Sequence, residues 1–276
     1  MYDTVIEPKV LFDHLGDSRW RTIDCRASLS DLDFGRNAHA AAHIPGAVFG
    51  DLATDFSGPL IRGFTGRHPL PDSTTLSTTL GRWGIAADTQ VVAYDAGNGA
   101  FAARVWWLLR WLGHAPVAVL NGGLAAWQAE GYTVQAGIET AGARQFRIGP
   151  ALTRTVSAQD ILLRAAEIEL LDARSQVRFR GEIEPIDPVA GHIPGARCLP
   201  FEGNLDARNR FLEHAALRGR FAAVASSGRE LVSYCGSGVT ACHNILAIKL
   251  AGLPEPSLYP GSFSEWIQDP NRPVER

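Results

Sequence analysis

Seven consecutive residues, Cys235-Gly236-Ser237-Gly238-Val239-Thr240-Ala241, follow the apolar run Leu231-Val232-Ser233-Tyr234 and lead into an apolar, helix-like stretch. A loop that leaves a strand and enters a helix puts its cysteine at the carboxyl edge of a sheet, where the ligand sites of open parallel sheets gather. Its two glycines permit positive φ values that turn successive backbone N–H groups inward, and the helix N-terminus adds the positive end of its dipole. Such a ring favours an anion at its centre. A thiol there is expected to have a lowered pKa and to stand as the nucleophilic thiolate. The same ring would stabilise a persulfide anion, Cys–S–S⁻, after sulfur transfer. Cys235 is therefore the candidate nucleophile, with Gly236, Gly238, Val239 and Thr240 as the anion-binding residues around it. The other cysteines, Cys25, Cys198 and Cys242, read as small buried hydrophobes.

The elements that position this loop occur twice. Ile23-Asp24-Cys25-Arg26 is answered by Leu171-Asp172-Ala173-Arg174, and His-Ile-Pro-Gly-Ala appears at His43 to Ala47 and again at His192 to Ala196. Strands ending at a tyrosine come next, Val91–Tyr94 and Leu231–Tyr234, each followed by a Gly-containing loop and an apolar helix, Ala100–Gly113 and Gly238–Gly252. Strands at Val117–Leu120 and Ser257–Tyr259 complete two βαβ units, and Gly122 to Trp127 matches Gly261 to Trp266. The landmarks keep one order in both halves. They predict an α/β protein of two homologous domains, residues 1–140 and 155–276, each a parallel sheet flanked by helices, with a linker between about Ala136 and Ser157. A long irregular stretch, Val48–Thr75, includes Gly66-Arg67-His68-Pro69 and reads as a functional loop or a covering arm.

In the first copy Asp95 stands where the second has Cys235. A carboxylate cannot carry a persulfide, and it is a poor guest for a ring meant for an anion. The first domain is expected to be chemically inactive and to wall the site, with Arg104 as a partner for Asp95. Asp-x-Arg occurs in both copies although only one is reactive, so Arg26 and Arg174 are expected to be paired internally.

Composition limits the alternatives. A chain of 276 residues with a 46% hydrophobic share can bury two ordinary cores. A net charge of −3 gives no reason to expect nucleic acid or an anionic membrane as partner, and no apolar run is long enough to span a bilayer. The acidic start lacks a signal pattern, so the cytoplasm is the expected location. Four unevenly spaced cysteines without a CxxC pair suggest neither a disulfide framework nor a zinc site.

The duplicated architecture, the paired His-Ile-Pro-Gly-Ala segments and the loop CGSGVTA together resemble the tandem-domain rhodanese and 3-mercaptopyruvate sulfurtransferase family, over almost the whole chain. The resemblance implies two rhodanese domains with one active site, on the second. It implies a two-step reaction, in which a small-molecule donor gives sulfur to the cysteine and an acceptor such as thioredoxin, glutathione or cyanide removes it. It implies no metal and no organic cofactor. The thiosulfate-preferring members carry cations directly after the cysteine; Gly236 and Ser237 are uncharged, like the mercaptopyruvate members. Those members use a serine at the Ser237 place, with a histidine from the first domain, and His43 is the matching candidate. The family's carboxylate-binding arginines correspond to Arg178 and to a position following Glu-Pro, which is Ile186 here, in Glu184-Pro185-Ile186-Asp187; Arg180 is a candidate substitute. The donor is accordingly 3-mercaptopyruvate or thiosulfate.

Two rival classes remain. A Cys-x5-Arg phosphatase needs an arginine where this chain has Ala241. A non-catalytic binding or regulatory module fits the cysteine-free first copy and not the second.

Overall fold

The computed structural model describes residues 1–276 and contains two parallel sheets flanked by helices. The first sheet is built from β1 (Val5–Ile6), β2 (Trp20–Asp24), β3 (Val48–Phe49), β4 (Gln90–Tyr94) and β5 (Val117–Leu120), in the order β1-β5-β4-β2-β3. The second contains β6 (Ile168–Asp172), β7 (Arg197–Cys198), β8 (Glu230–Tyr234) and β9 (Ser257–Leu258), in the order β7-β6-β8-β9. Every strand pair is parallel. The orders coincide once β2, β3, β4 and β5 are set against β6, β7, β8 and β9. A single parallel bridge, Thr155 to Leu258, stands in the second sheet where β1 pairs with β5 in the first.

Helices cover these strands because all-parallel pairing needs crossovers, and burial on both faces explains the near-continuous apolar strands Val91–Tyr94 and Leu231–Tyr234. Ala100–Trp111 and Thr240–Leu250 are the crossover helices that follow β4 and β8, and both are apolar nearly all round. Apolar clusters fill the layers, among them one under β4 and β5 around Trp127 and two on the faces of β8, around Trp266 and around Phe221. No helix is long and apolar enough to cross a membrane.

The chain divides into two compact units whose boundaries depart from a simple halving. The first comprises Met1–Gly58, Pro71–Leu152 and Ala207–Arg210; the second comprises Pro59–Leu70, Thr153–Asp206 and Phe211–Arg276. The middle of the irregular Val48–Thr75 stretch thus belongs with the second unit. It is held there by Gly63 N–H donating to Gln268 Oε1 at 3.2 Å and by Arg67 N–H donating to Ser264 Oγ at 3.0 Å.

Beside β4, burial carries the His114 imidazole down from its ordinary 6.5 to about 4, while Nε2 lies 2.9 Å from Thr89 O as donor. The folded state therefore prefers the neutral ring. Its contribution to stability is complete above pH 6.5 and is lost as the pH falls toward 4, by up to about 3 kcal/mol. His114→Gln should flatten the acid dependence of the urea midpoint across that window. Parallel wild-type and variant curves would show that His114 carries no such linkage.

Candidate active site

Backbone geometry fixes Cys235 from three sides. β8 ends at Tyr234, whose carbonyl accepts from Ala173 N–H at 2.9 Å, tying the loop to the Asp172-x-Arg174 corner of β6. The loop's own carbonyls accept from the opposite segment, Cys235 O from Phe263 N–H at 3.0 Å and Gly236 O from Ser264 N–H at 2.9 Å. Cys235 N–H donates to Ser262 Oγ at 3.1 Å, and Ser262 takes a left-handed φ of 54° to offer it. Gly238, with φ 79°, lets its amide turn back to donate to Cys235 Sγ at 3.2 Å. Val239 precedes the helix Thr240–Leu250, whose N-terminus is aimed at the same loop.

Gly236 has no left-handed φ, and its missing side chain leaves room for two arginine side-chain ends. A Cβ on it would lie 2.7 Å from Arg67 Nη2 and 3.5 and 3.6 Å from the two Nη atoms of Arg178. Two guanidinium groups therefore converge beside the residue that follows the nucleophile. Arg178 is held by Glu184, through Nε at 3.1 Å to both carboxylate oxygens and Nη2 at 2.8 Å to Oε1, and by Asp187 Oδ2 at 3.0 Å from Nη2. Asp187 Oδ1 accepts from Arg67 Nη1. Arg180, by contrast, is exposed and 3.7 Å from Glu182, so it does not replace the arginine lacking at Ile186.

Ser237 is buried, and its Oγ lies 2.8 Å from His68 Nδ1. The histidine at Ser237 is thus His68 and not His43. Within the first unit, His43 Nδ1 lies 2.7 Å from His39 O, and Nε2 faces Gln135 at 3.4 Å and Glu139 at 3.8 Å. His192 repeats this arrangement, with Nδ1 2.8 Å from Phe179 O and Nε2 3.7 Å from Glu275. Both histidines also form antiparallel bridges, His43 with Gln135 and His192 with Glu275. The following isoleucine N–H donates to a tyrosine hydroxyl in each copy, Ile44 to Tyr94 at 3.2 Å and Ile193 to Tyr234 at 3.3 Å. One structural corner, inherited twice, accounts for both His-Ile-Pro-Gly segments.

Asp95 corrects a second expectation. Its carboxylate sits inside the ring it was expected to avoid: Oδ1 accepts from Gly97 and Gly99 N–H, both at 3.0 Å, and Oδ2 from Phe101 and Ala102 N–H at 3.0 and 3.3 Å. The ring binds an anion, and the chain supplies that anion itself. Arg104, the expected partner, directs Nη2 to Phe56 O. Arg26 and Arg174 do pair internally, with Asp24 at 2.6 Å and Asp172 at 2.7 Å. Among the remaining cysteines, burial pushes the Cys25 thiol well up and the Cys198 thiol up to about 11, beside the Asp172 charge. Both are poor nucleophiles on that ground.

The fold and the loop define a rhodanese. The model of the rhodanese-like domain matches residues 7–130 and 157–269, so the chain belongs to the rhodanese family. A Pseudomonas aeruginosa protein named "Probable 3-mercaptopyruvate sulfurtransferase" is 52% identical over 258 residues, 91% of this chain and 90% of that one. A Mycobacterium tuberculosis protein named "Putative thiosulfate sulfurtransferase SseB" is 40% identical over 92% of this chain and 90% of its own length. The solved structure of the 3-mercaptopyruvate sulfurtransferase SseA from Escherichia coli superposes with a TM-score of 0.83 at 30% identity, covering 96% of this chain and all of that one. This chain is a sulfurtransferase.

Proposed function

We propose that this sulfurtransferase takes sulfur from 3-mercaptopyruvate onto Cys235 as a persulfide and passes it to a thiophilic acceptor. The observation that carries this reading is the convergence, around Gly236 and Ser237, of one cysteine, two guanidinium groups and a serine–histidine pair. In the first step the Cys235 thiolate attacks the donor's thiol sulfur. An S–S bond forms, the C–S bond breaks, and the electron pair passes to the enolate of pyruvate. The proton of the donor thiol ends on the pyruvate methyl carbon, leaving Cys235–S–S⁻. Ser237 and His68, 2.8 Å apart, provide groups able to take that proton and return it. Gly238 N–H and the helix N-terminus stabilise the anionic sulfur, and Arg178 binds the donor's carboxylate. In the second step an acceptor thiolate, or cyanide, attacks the outer sulfur and releases the Cys235 thiolate. Thioredoxin and glutathione are the acceptor types this chemistry suits. All four cysteines are free, which fits a reducing compartment such as the cytoplasm.

Thiosulfate is the second reading, favoured by paired guanidinium groups that also suit a small dianion. It needs no proton transfer, since sulfite leaves as a dianion, and so makes no use of His68 and Ser237. The test is a donor comparison on the purified protein, with sulfide or thiocyanate measured at matched donor concentrations. The expected result is a kcat/KM for 3-mercaptopyruvate above that for thiosulfate by about tenfold or more, from the acid–base pair. A preference for thiosulfate would replace the donor while leaving the Cys235 chemistry in place.

A further inference from the structure

We infer that the pocket of about 410 Å³ between the helix Phe34–Ala41, β3 and the end of the helix Ser73–Arg82 binds a small organic anion with a flat ring, through Arg36 and Arg82. The site lies wholly within the first unit and is independent of the Cys235 chemistry.

The walls set cationic ends beside aromatic faces. Arg36 stands over the Phe49 ring, its Cζ 5.4 Å from the centroid, and Arg82 directs Nη2 to Thr79 Oγ1 at 2.9 Å. Both arginines are exposed and neither is ion-paired, in contrast to Arg26, Arg174 and Arg178. Trp83, the residue after Arg82, meets Phe56 edge-on at 5.9 Å and lines the same pocket. Guanidinium groups next to aromatic rings suit a planar anion, since the charge takes the carboxylate or phosphate and the rings take the flat body. Acidic groups at the pocket are already engaged. Glu139 accepts from Gln135 Nε2 and lies 3.8 Å from His43 Nε2. Asp55 Oδ2 accepts from Asp51 N–H at 2.8 Å, and burial pushes that carboxyl up, toward its neutral form, against the Arg82 and Arg36 charges. His39 is buried in the pocket wall with Nδ1 3.0 Å from Asp24 Oδ2, and its Nε2 has no partner in the protein, which leaves one polar nitrogen for a ligand. Residues 138–141 form the far wall and are pinned on both sides of it: Gly137 N–H donates to Ala40 O and Arg144 N–H to Gly81 O, each at 2.9 Å. Backbone hydrogen bonds therefore fix the shape of the pocket. The second copy lacks these features. Counted from the shared His-Ile-Pro-Gly, Arg36 and His39 answer to Pro185 and Pro188. Phe49, opposite Asp24, answers to Cys198, opposite Asp172. The corner that both copies build thus needs none of the three, and its folding does not account for their meeting at one pocket.

Calorimetric titration of the whole chain with indole-3-acetate and with AMP, beside the uncharged indole-3-acetamide and adenosine, tests the site. At least one of the two anions should bind saturably with a Kd below about 1 mM, the affinity open to a ligand of about a dozen heavy atoms. Its uncharged counterpart should bind at least about tenfold more weakly. Binding of indole-3-acetate alone assigns a carboxylate site, binding of AMP alone a phosphate site, and binding of both a general site for planar anions. The double variant Arg36→Gln/Arg82→Gln should raise the Kd by about tenfold or more. If it fails to fold, Arg36→Gln and Arg82→Gln singly should each raise the Kd by about threefold or more. No saturable binding of either anion would overturn the site, as would equal binding of the uncharged counterparts. An unchanged Kd in the folded arginine variants would overturn it too, because the anion would then be held elsewhere on the chain.

Discussion

Cys235→Ser is expected to lose sulfur transfer by more than about 10³-fold and to lose the mass gain of about 32 Da that one bound sulfur atom gives on incubation with donor. A serine oxygen cannot form the S–S bond that stores the sulfur, whatever the ring around it stabilises. The other three cysteines offer no substitute. Burial raises the Cys25 and Cys198 thiols away from the thiolate form, and the Cys242 thiol lies 3.3 Å from Gly238 O inside the crossover helix. Cys25→Ser, Cys198→Ser and Cys242→Ser should each keep the mass gain and most of the turnover. Intact-mass spectrometry before and after donor, followed by acceptor, measures both steps. Retention of the added sulfur in Cys235→Ser would exclude a persulfide at this position.

The duplication was legible because folding constraints repeat with a fixed spacing. The strands ending at Tyr94 and Tyr234, the helices after them and the Asp-x-Arg corners are all local patterns, and each lies where the sequence indicates. The geometry of the Cys235 loop was legible for the same reason, since its glycines and its place between strand and helix are contiguous in the chain. What lay outside the pattern was pairing over long separations. His68 and Ser237 are 169 residues apart, and Arg67 and Asp187 are 120 apart. The signal for them was the length of Val48–Thr75 and its Gly-Arg-His-Pro, a polar cluster within an otherwise irregular stretch. His43 was expected beside Ser237 because it sits in a motif, but motifs that occur in both copies mark what both copies need, here the corner closed by Gln135 or Glu275. Asp95 went astray by a related route. A ring of amides has no preference between an anion that arrives and one already on the chain, so the cysteine-free copy can keep the ring intact by filling it.

His68→Gln is expected to separate the two donors. With 3-mercaptopyruvate, a proton must leave the donor thiol and reach the carbon from which sulfur departs, and general acid–base catalysis of that kind is worth about 10²–10⁴-fold. With thiosulfate, the thiolate attacks the outer sulfur and sulfite departs with the electron pair, so no proton moves. His68 and Ser237, 2.8 Å apart, form an acid–base pair at the loop, and glutamine preserves a hydrogen-bonding side chain without a group that titrates near neutral pH. His68→Gln should therefore lower kcat for 3-mercaptopyruvate by about 10²-fold or more and leave thiosulfate turnover within about threefold of wild type. Ser237→Ala should follow in the same direction. The pH profile adds a readout that a packing role would not move: the limb of kcat set by the imidazole should disappear from the 3-mercaptopyruvate reaction in His68→Gln. Equal losses with both donors would mean that His68 shapes the loop rather than moving a proton, since a distorted Cys235 site would serve neither substrate.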